Sequence, residues 1–243
     1  MPRVLVAPQD VHANAVTLTD PETVHHLRRV LRVKPGDWVD CYDGRGRSYG
    51  GRLAVKGGQW LVEIERQTRE TPPATKLVLA QALIEPNRFE WVLQKATELG
   101  ATEIVPMTTE RSTVRDPDAV GRQRQSRWKR IIESAATQCG RASLPRLSAP
   151  QPFSLIVQSD DPISSRVLLT PQGNGMPLRD AISQLRQADM VMVMIGPEGD
   201  FSPQEITLAA ERHIMLATLG RLILRSETAA LAALAIVQHG LER

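Results

Sequence analysis

With 243 residues, 42% of them apolar and 23% charged, the chain has the composition of an ordinary globular protein, long enough for two domains. Its two cysteines, Cys41 and Cys139, exclude a disulfide framework; five histidines without ligand spacing argue against a metal centre, and no apolar run approaches the roughly 20 residues of a membrane span. The net charge is only +3, and the N-terminal MPRVLVAPQD has the features of neither a signal nor a transit peptide, so a cytoplasmic protein without membrane or metal is expected.

Residues 1–70 predict a small β-barrel with one short helix. In DPETVHHLRRVLR, residues 20–32, Asp20 suits an N-cap and Pro21 the first helical position, with Val24, Leu27, Val30 and Leu31 on one face. KPGD then turns, WVDCY alternates as a strand, DGRG at 43–46 marks a hairpin, and KGGQ turns SYGGRLAV into WLVEIERQ. Short strands joined by glycine turns suit a closed sheet. The paired prolines of TRETPPAT, 68–75, predict a linker.

From Lys76 onward strands alternate with helices. KLVLAQAL reads as a buried strand. NRFEWVLQKATELG reads as a helix with Phe89, Val92, Leu93, Ala96 and Leu99 on one stripe, opened by an Asn87–Glu90 capping box and closed by Gly100. After the strand TEIVPM, residues 121–140 bury Trp128, Ile131, Ile132, Ala135 and Ala136 and leave most arginines free on the other face. SRVLLT, MVMVMI and IMLATL follow as strands, interleaved with LRDAISQLR, a helix from Pro203 and a last helix from about Glu227 to His239. The pattern predicts an α/β fold, a parallel sheet with helices on both faces.

Charge is unevenly spread. Between Glu110 and Leu147 nine basic residues (Arg111, Arg115, Arg122, Arg124, Arg127, Lys129, Arg130, Arg141, Arg146) face four acids (Glu110, Asp116, Asp118, Glu133). A guanidinium fork suits phosphate oxygens and base edges, so a polyanionic partner competes here with a merely solvated helix face.

Parallel sheets bind ligands at the carboxyl ends of their strands, and three such ends carry unusual loops: LLTPQGNG (168–175), IGPEGDFS (195–202) and LGRLILRSETA (219–229). In the second, Gly196 and Gly199 let the backbone approach a ligand. Ser202, Pro203 and Glu205 are explained as a helix start, but Glu198 is not. In the third, Ser226 suits an N-cap and Glu227 the helix dipole, whereas Arg225 places a cation at a helix N-terminus, where a ligand or carboxylate must pair with it. Neither GxGxxG nor GxxxxGK[ST] occurs.

QKATELGA, TTERS, TQCGR, IGPEGDFSPQEI and LGRLILRSETAALAAL, in that order, resemble the motifs of the RsmE-type methyltransferases, which methylate N3 of a uridine in 16S ribosomal RNA with S-adenosylmethionine. HHLRRVLRVKPGD and DGRG are similar to that family's PUA-like RNA-binding barrel, so the likeness spans nearly the whole chain. It implies a PUA-like barrel over 1–70 and, over 75–243, a SPOUT domain whose C-terminal part forms a trefoil knot. It further implies a homodimer with the active site at the subunit interface and, as partner, 16S rRNA or the small ribosomal subunit.

Carried over by motif, the methyl-donor pocket comprises Leu169, Ile195, Gly196, Pro197, Glu198, Gly199, Leu219, Gly220 and Leu224. The expected catalytic groups are Arg225, steadying the uracil oxygens as N3 loses its proton, and Glu227 or Glu198 as proton acceptor. Arg28, Arg29, Arg32, Arg88, Arg111 and Arg141 are the expected RNA contacts, with Arg111 or Arg141 reaching the uracil from the other subunit. The chain departs from the family pattern at Asp200 (usually glycine), Leu222 (usually arginine) and Glu85 (commonly basic). A SPOUT enzyme acting on another RNA atom, and a non-enzymatic RNA-binding or ribosome-assembly factor, are the alternatives.

Overall fold

The computed structural model describes residues 1–112, 117–158, 165–171, 175–186 and 188–241, with 117–122 described by their backbone alone. Arg115, Asp116, the side chains of Asp118 and Arg122, and 172–174 of the first loop lie outside the described residues. The chain divides into two compact units, Met1–Pro72 with Ala136–Leu144, and Pro73–Ala135 with Pro145–Arg243.

The first unit holds β1 (Arg3–Leu5), β2 (Ala15–Thr17), helix α1 (Pro21–His25), β3 (Trp38–Tyr42), β4 (Arg47–Lys56) and β5 (Gln59–Arg69). They form one sheet in the order β1-β3-β4-β5-β2, antiparallel except for β1 beside β3. Val16, Leu27, Val39, Cys41 and Val62 are fully buried in its core. A bulge interrupts β4 between Gly50 and Gly51, where a Cβ on Gly51 would lie 1.8 Å from the Glu63 carbonyl oxygen, so no larger residue fits there.

Asp20 caps α1 as expected, its carboxylate accepting from the amides of Glu22 (3.3 Å) and Thr23 (2.9 Å). The predicted apolar face is only half correct. From His26 to Val30 the helix widens into a π turn, closed by the Leu31 amide on the His26 carbonyl at 3.0 Å. The extra residue in the turn rotates its successors off the face: Leu27 is buried, but Val30 and Leu31 are 61% and 44% exposed.

The second unit contains β6 (Lys76–Ala82), α2 (Pro86–Glu98), β7 (Glu103–Thr108), α3 (Pro117–Cys139) up to Ala135, β8 (Arg146–Leu147), β9 (Gln151–Pro152), α4 (Phe153–Gln158), β10 (Ser165–Leu169), β11 (Met176–Pro177), α5 (Leu178–Leu185), β12 (Met190–Ile195), α6 (Pro203–Glu211), β13 (Met215–Thr218) and α7 (Ser226–Leu241). Its sheet runs β11-β13-β10-β12-β6-β7-β8, with β9 also beside β7, and every pairing is parallel. The near-continuous apolar runs of β6 and β12 are buried, as a sheet covered on both faces requires. Among the described residues no helix is long and apolar enough to cross a membrane.

Two local expectations are corrected here. The Asn87–Glu90 capping box does not form; Glu85 caps α2 instead, accepting from the amides of Asn87 and Arg88, each at 3.1 Å, ahead of Pro86. Glu90 faces α3, where Arg127 donates to it from Nε and Nη2 (2.6 and 2.7 Å) and Arg124 stands at 3.8 Å. A carboxylate only 8% exposed must be paired, so these two arginines are not free. The apolar stripes agree with expectation: Phe89 on α2 meets Trp128 on α3 at 4.8 Å between ring centroids.

Candidate active site

The sheet order brings the three unusual loops together. β13, β10 and β12 are parallel neighbours, and their registers align Ala217, Leu169, Ile195 and Gln81 of β6 in one row across the carboxyl edge. The chain leaves that row into all three loops at once. The loops are then bonded to one another. The Thr170 amide donates to the Ala217 carbonyl (3.0 Å) and the Thr170 hydroxyl to Asp200 (2.8 Å). Gln81 Nε2 donates to the Ser226 hydroxyl (2.9 Å), which donates to the Gly196 carbonyl (2.6 Å).

Ser226 therefore does not act as the expected cap. The Arg225 carbonyl accepts the first bond of α7, from the Ala229 amide at 2.8 Å, and the Ser226 hydroxyl is spent on pinning Gly196. Ser202 and Glu205, by contrast, form the expected reciprocal capping box, and Glu205 also accepts from the Glu110 amide at 2.9 Å. Asp200 has φ = 60°, the left-handed region where glycine is free of strain and aspartate is among the tolerated residues. Its carboxylate is anchored on Thr170, which accounts for an acid at that position.

Beside the row lies an apolar slot formed by Leu169, Thr170 and Pro171 after β10, Thr218, Leu219, Leu222 and Leu224 after β13, and Ala229 of α7. Of the expected donor-binding residues, Leu169, Leu219 and Leu224 line it. Ile195, Gly196 and Pro197 are buried at the end of β12, Glu198 and Gly199 are exposed, and Gly220 is exposed with φ = 126°. Leu222 and its neighbour Ile223 are 79% and 84% exposed.

The charged groups sort into partners. Arg88, at the start of α2, stands between two acids from distant loops, with Nη1 3.7 Å from Glu198 and Nε 3.8 Å from Glu227. Glu227 is 8% exposed, and its Oε2 is buried without a hydrogen-bond partner. Arg111 donates to the Gly199 carbonyl at 2.8 Å, so it braces the loop after β12. Arg225 is exposed and pairs with no carboxylate among the described residues. Arg28, Arg29 and Arg32 are exposed in the first unit. Arg141 belongs to that unit too, and burial pulls its guanidinium below the ordinary value, opposed by Glu70. The sequence reading did not single out Gln81 or Thr170 as site residues; the one signal for Gln81 is an amide inside an otherwise apolar strand.

The chain matches the RNA methyltransferase domain family over residues 71–238 and the RNA methyltransferase PUA domain family over 18–65. It is 34% identical over 244 residues to the ribosomal RNA small subunit methyltransferase E of Synechocystis, covering 99% of this chain and 78% of that protein. The chain belongs to the ribosomal RNA small subunit methyltransferase E family. The Bacillus subtilis member is 29% identical over 91% of this chain and 89% of its own. The Neisseria gonorrhoeae member, solved bound to S-adenosyl methionine, superposes with a TM-score of 0.84 at 30% identity, over 98% of this chain and 97% of that one.

Proposed function

We propose that the protein methylates N3 of a uridine in 16S ribosomal RNA with S-adenosylmethionine, as a cytoplasmic homodimer. In this reading 1–70 is the PUA-like RNA-binding barrel and 75–243 the knotted SPOUT domain. The observation that carries the reading is the row of Ala217, Leu169, Ile195 and Gln81, from which three cross-bonded loops rise, the first and third of them lining one apolar slot.

The residues present fit such a donor. The slot offers leucine side chains to an adenine, the loop after β12 offers backbone, and Glu198 and Glu227 offer negative charge to a sulfonium. The loop after β13 borders the slot with Leu222, which with its neighbour Ile223 is largely exposed. When bound, S-adenosylmethionine supplies an electrophilic methyl carbon.

The protein's own groups do the remainder. Uracil N3 attacks only after losing its proton, because the protonated nitrogen has no free lone pair. Glu227 is the favoured acceptor: Arg88 stands beside both acids, but Glu227 is buried and its Oε2 has no hydrogen-bond partner, whereas Glu198 is exposed. The exposed Arg225 guanidinium steadies the carbonyl oxygens on which the charge of the deprotonated ring accumulates. Arg111 and the Gln81–Ser226 relay hold the loop carbonyls of Gly199 and Gly196, keeping the loop after β12 in one conformation.

The test is nucleoside mass spectrometry of 16S rRNA from cells lacking the protein. Loss of 3-methyluridine, restored by the wild-type gene, is expected. Undiminished 3-methyluridine, or loss of a ribose or purine methyl group instead, overturns the assignment.

A further inference from the structure

The first unit has a cleft of its own, of about 610 Å³, between the α1–π turn and the edge formed by β2 and β5. That volume lies within the range of nucleotide-sized pockets, roughly 300–1,000 Å³. Trp60 and Gln59 of β5 line one part of it; Val24, His25, Arg28 and Arg29 line another. Trp60 is half-buried, packed on the core of the unit, and the Arg28 guanidinium carbon lies 5.7 Å from its ring centroid.

Three features mark this as more than a surface dent. No acid lines it, so its charge is wholly positive. Arg28 and Arg29 make no ion pair among the described residues, whereas Arg52, Lys56 and Arg66 of the same sheet each hold an acid at 3.2, 2.6 and 3.0 Å. The cleft wall is also the segment where the helix widens into its π turn and Arg32 takes φ = 55°, irregularity of the kind that gathers at binding sites.

We propose that this cleft takes one unpaired nucleotide of the RNA substrate. The base stacks on Trp60, the Gln59 amide and Thr17 hydroxyl meet its polar edge, and Arg28 and Arg29 hold the flanking phosphates. A duplex keeps its bases stacked on each other and cannot offer one to Trp60. The proposal rests on the RNA-binding reading of the first unit, and adds to it a base-stacking residue and a preference for unpaired RNA.

The test uses the full chain and a fluorescent single-stranded oligoribonucleotide, alongside the same oligonucleotide in a duplex and with one abasic position. Trp60→Leu is expected to weaken single-strand binding by roughly 5- to 100-fold at every salt concentration, while Trp60→Phe, which keeps a ring, stays near wild type. Arg29→Gln, an exposed site that leaves the fold alone, is expected to lower the slope of log Kd against log salt by about 0.7 for a single strand. Calorimetric S-adenosylmethionine binding should be unchanged in all three. Wild-type affinity in both Trp60→Leu and Arg29→Gln, or an equal loss on duplex RNA, overturns the cleft. No RNA binding by the wild type, with donor binding intact, overturns the RNA reading on which the cleft depends.

Discussion

Arg225 carries the sharpest prediction at the scale of single residues. Its guanidinium is exposed, has no carboxylate partner among the described residues and does not line the apolar slot, so Arg225→Ala disturbs neither packing nor the slot. Donor affinity by calorimetry is expected to stay within about twofold, while methyl transfer falls by roughly 100-fold or more, the usual cost of removing a group that stabilises developing charge. Full activity would reject the role. This residue was legible in the sequence because a cation at a helix N-terminus is anomalous wherever it occurs. Arg88 is expected from the sequence only as an RNA contact, and its pairing is not legible there: Glu198 and Glu227 lie more than a hundred residues away, and only the folded sheet brings them within 4 Å. Asp200 lies between these cases. It is visible in the sequence as a departure from glycine, and the structure gives it a conformational account, a left-handed residue anchored by Thr170.

Elements joined by side-chain bonds should respond together. Ser226→Ala leaves the Gly196 carbonyl and a Gln81 amide proton without their bond in a buried place, so it is expected to cost about 1–3 kcal/mol in urea unfolding and to weaken donor binding in parallel. A change below ~0.5 kcal/mol, the scatter of ordinary surface substitutions, would show that the relay holds nothing. Helix α1 offers a test by pH. The Thr23 hydroxyl bond, helped by the Thr23 and Glu22 amides and opposed by burial, holds the Asp20 carboxyl below its ordinary value. Being more acidic in the folded chain, the cap contributes fully above the unfolded pKa of about 3.9, and its contribution is lost as pH falls through the lower folded value. Asp20→Ala should therefore cost about 1 kcal/mol at pH 7 and nothing in strong acid. A melting difference independent of pH would exclude the carboxylate as cause. The caps of α1 and α6 were readable because aspartate after a loop and Ser-Pro-x-Glu are local signals. The Glu85 cap and the π turn were not, since glutamate is a poor cap in isolation and apolar spacing alone does not tell a wide turn from a regular one.

Across the whole molecule, the chain divides inside the stretch where its composition changes, between Pro72 and Pro73, but one later segment belongs to the earlier unit. TRETPPAT reads as a clean boundary, yet Ala136–Leu144 returns to the first unit. There Thr137 shares a 2.6 Å hydrogen bond with the buried Tyr42 hydroxyl, the amides of Ala142 and Ser143 donate to Glu70 at 3.0 and 2.7 Å, and the Leu144 amide donates to the Gly44 carbonyl at 2.9 Å. A fragment ending at residue 72 loses all of these and the apolar cover of Ala136 and Ala142 over Tyr42. It is expected to melt without cooperativity, or well below the intact chain, when followed by circular dichroism; a cooperative transition at the temperature of the intact protein would show the returning segment to be dispensable. The alternation of strands and helices was legible because burial on both faces writes long apolar runs. The return of 136–144 was not, because strand-like pairing at single residues such as Gly44 with Ser143 leaves no periodic trace.

That return also sets an order of events on the ribosome. The N-terminal sheet leaves the exit tunnel first but lacks Thr137 and Ala142 until about its own length again has been synthesised, several seconds at about 5–20 residues per second. Through that interval Tyr42 and the Glu70 carboxylate await their partners, so the nascent first unit is open to proteases and holdase chaperones for longer than its small size would suggest.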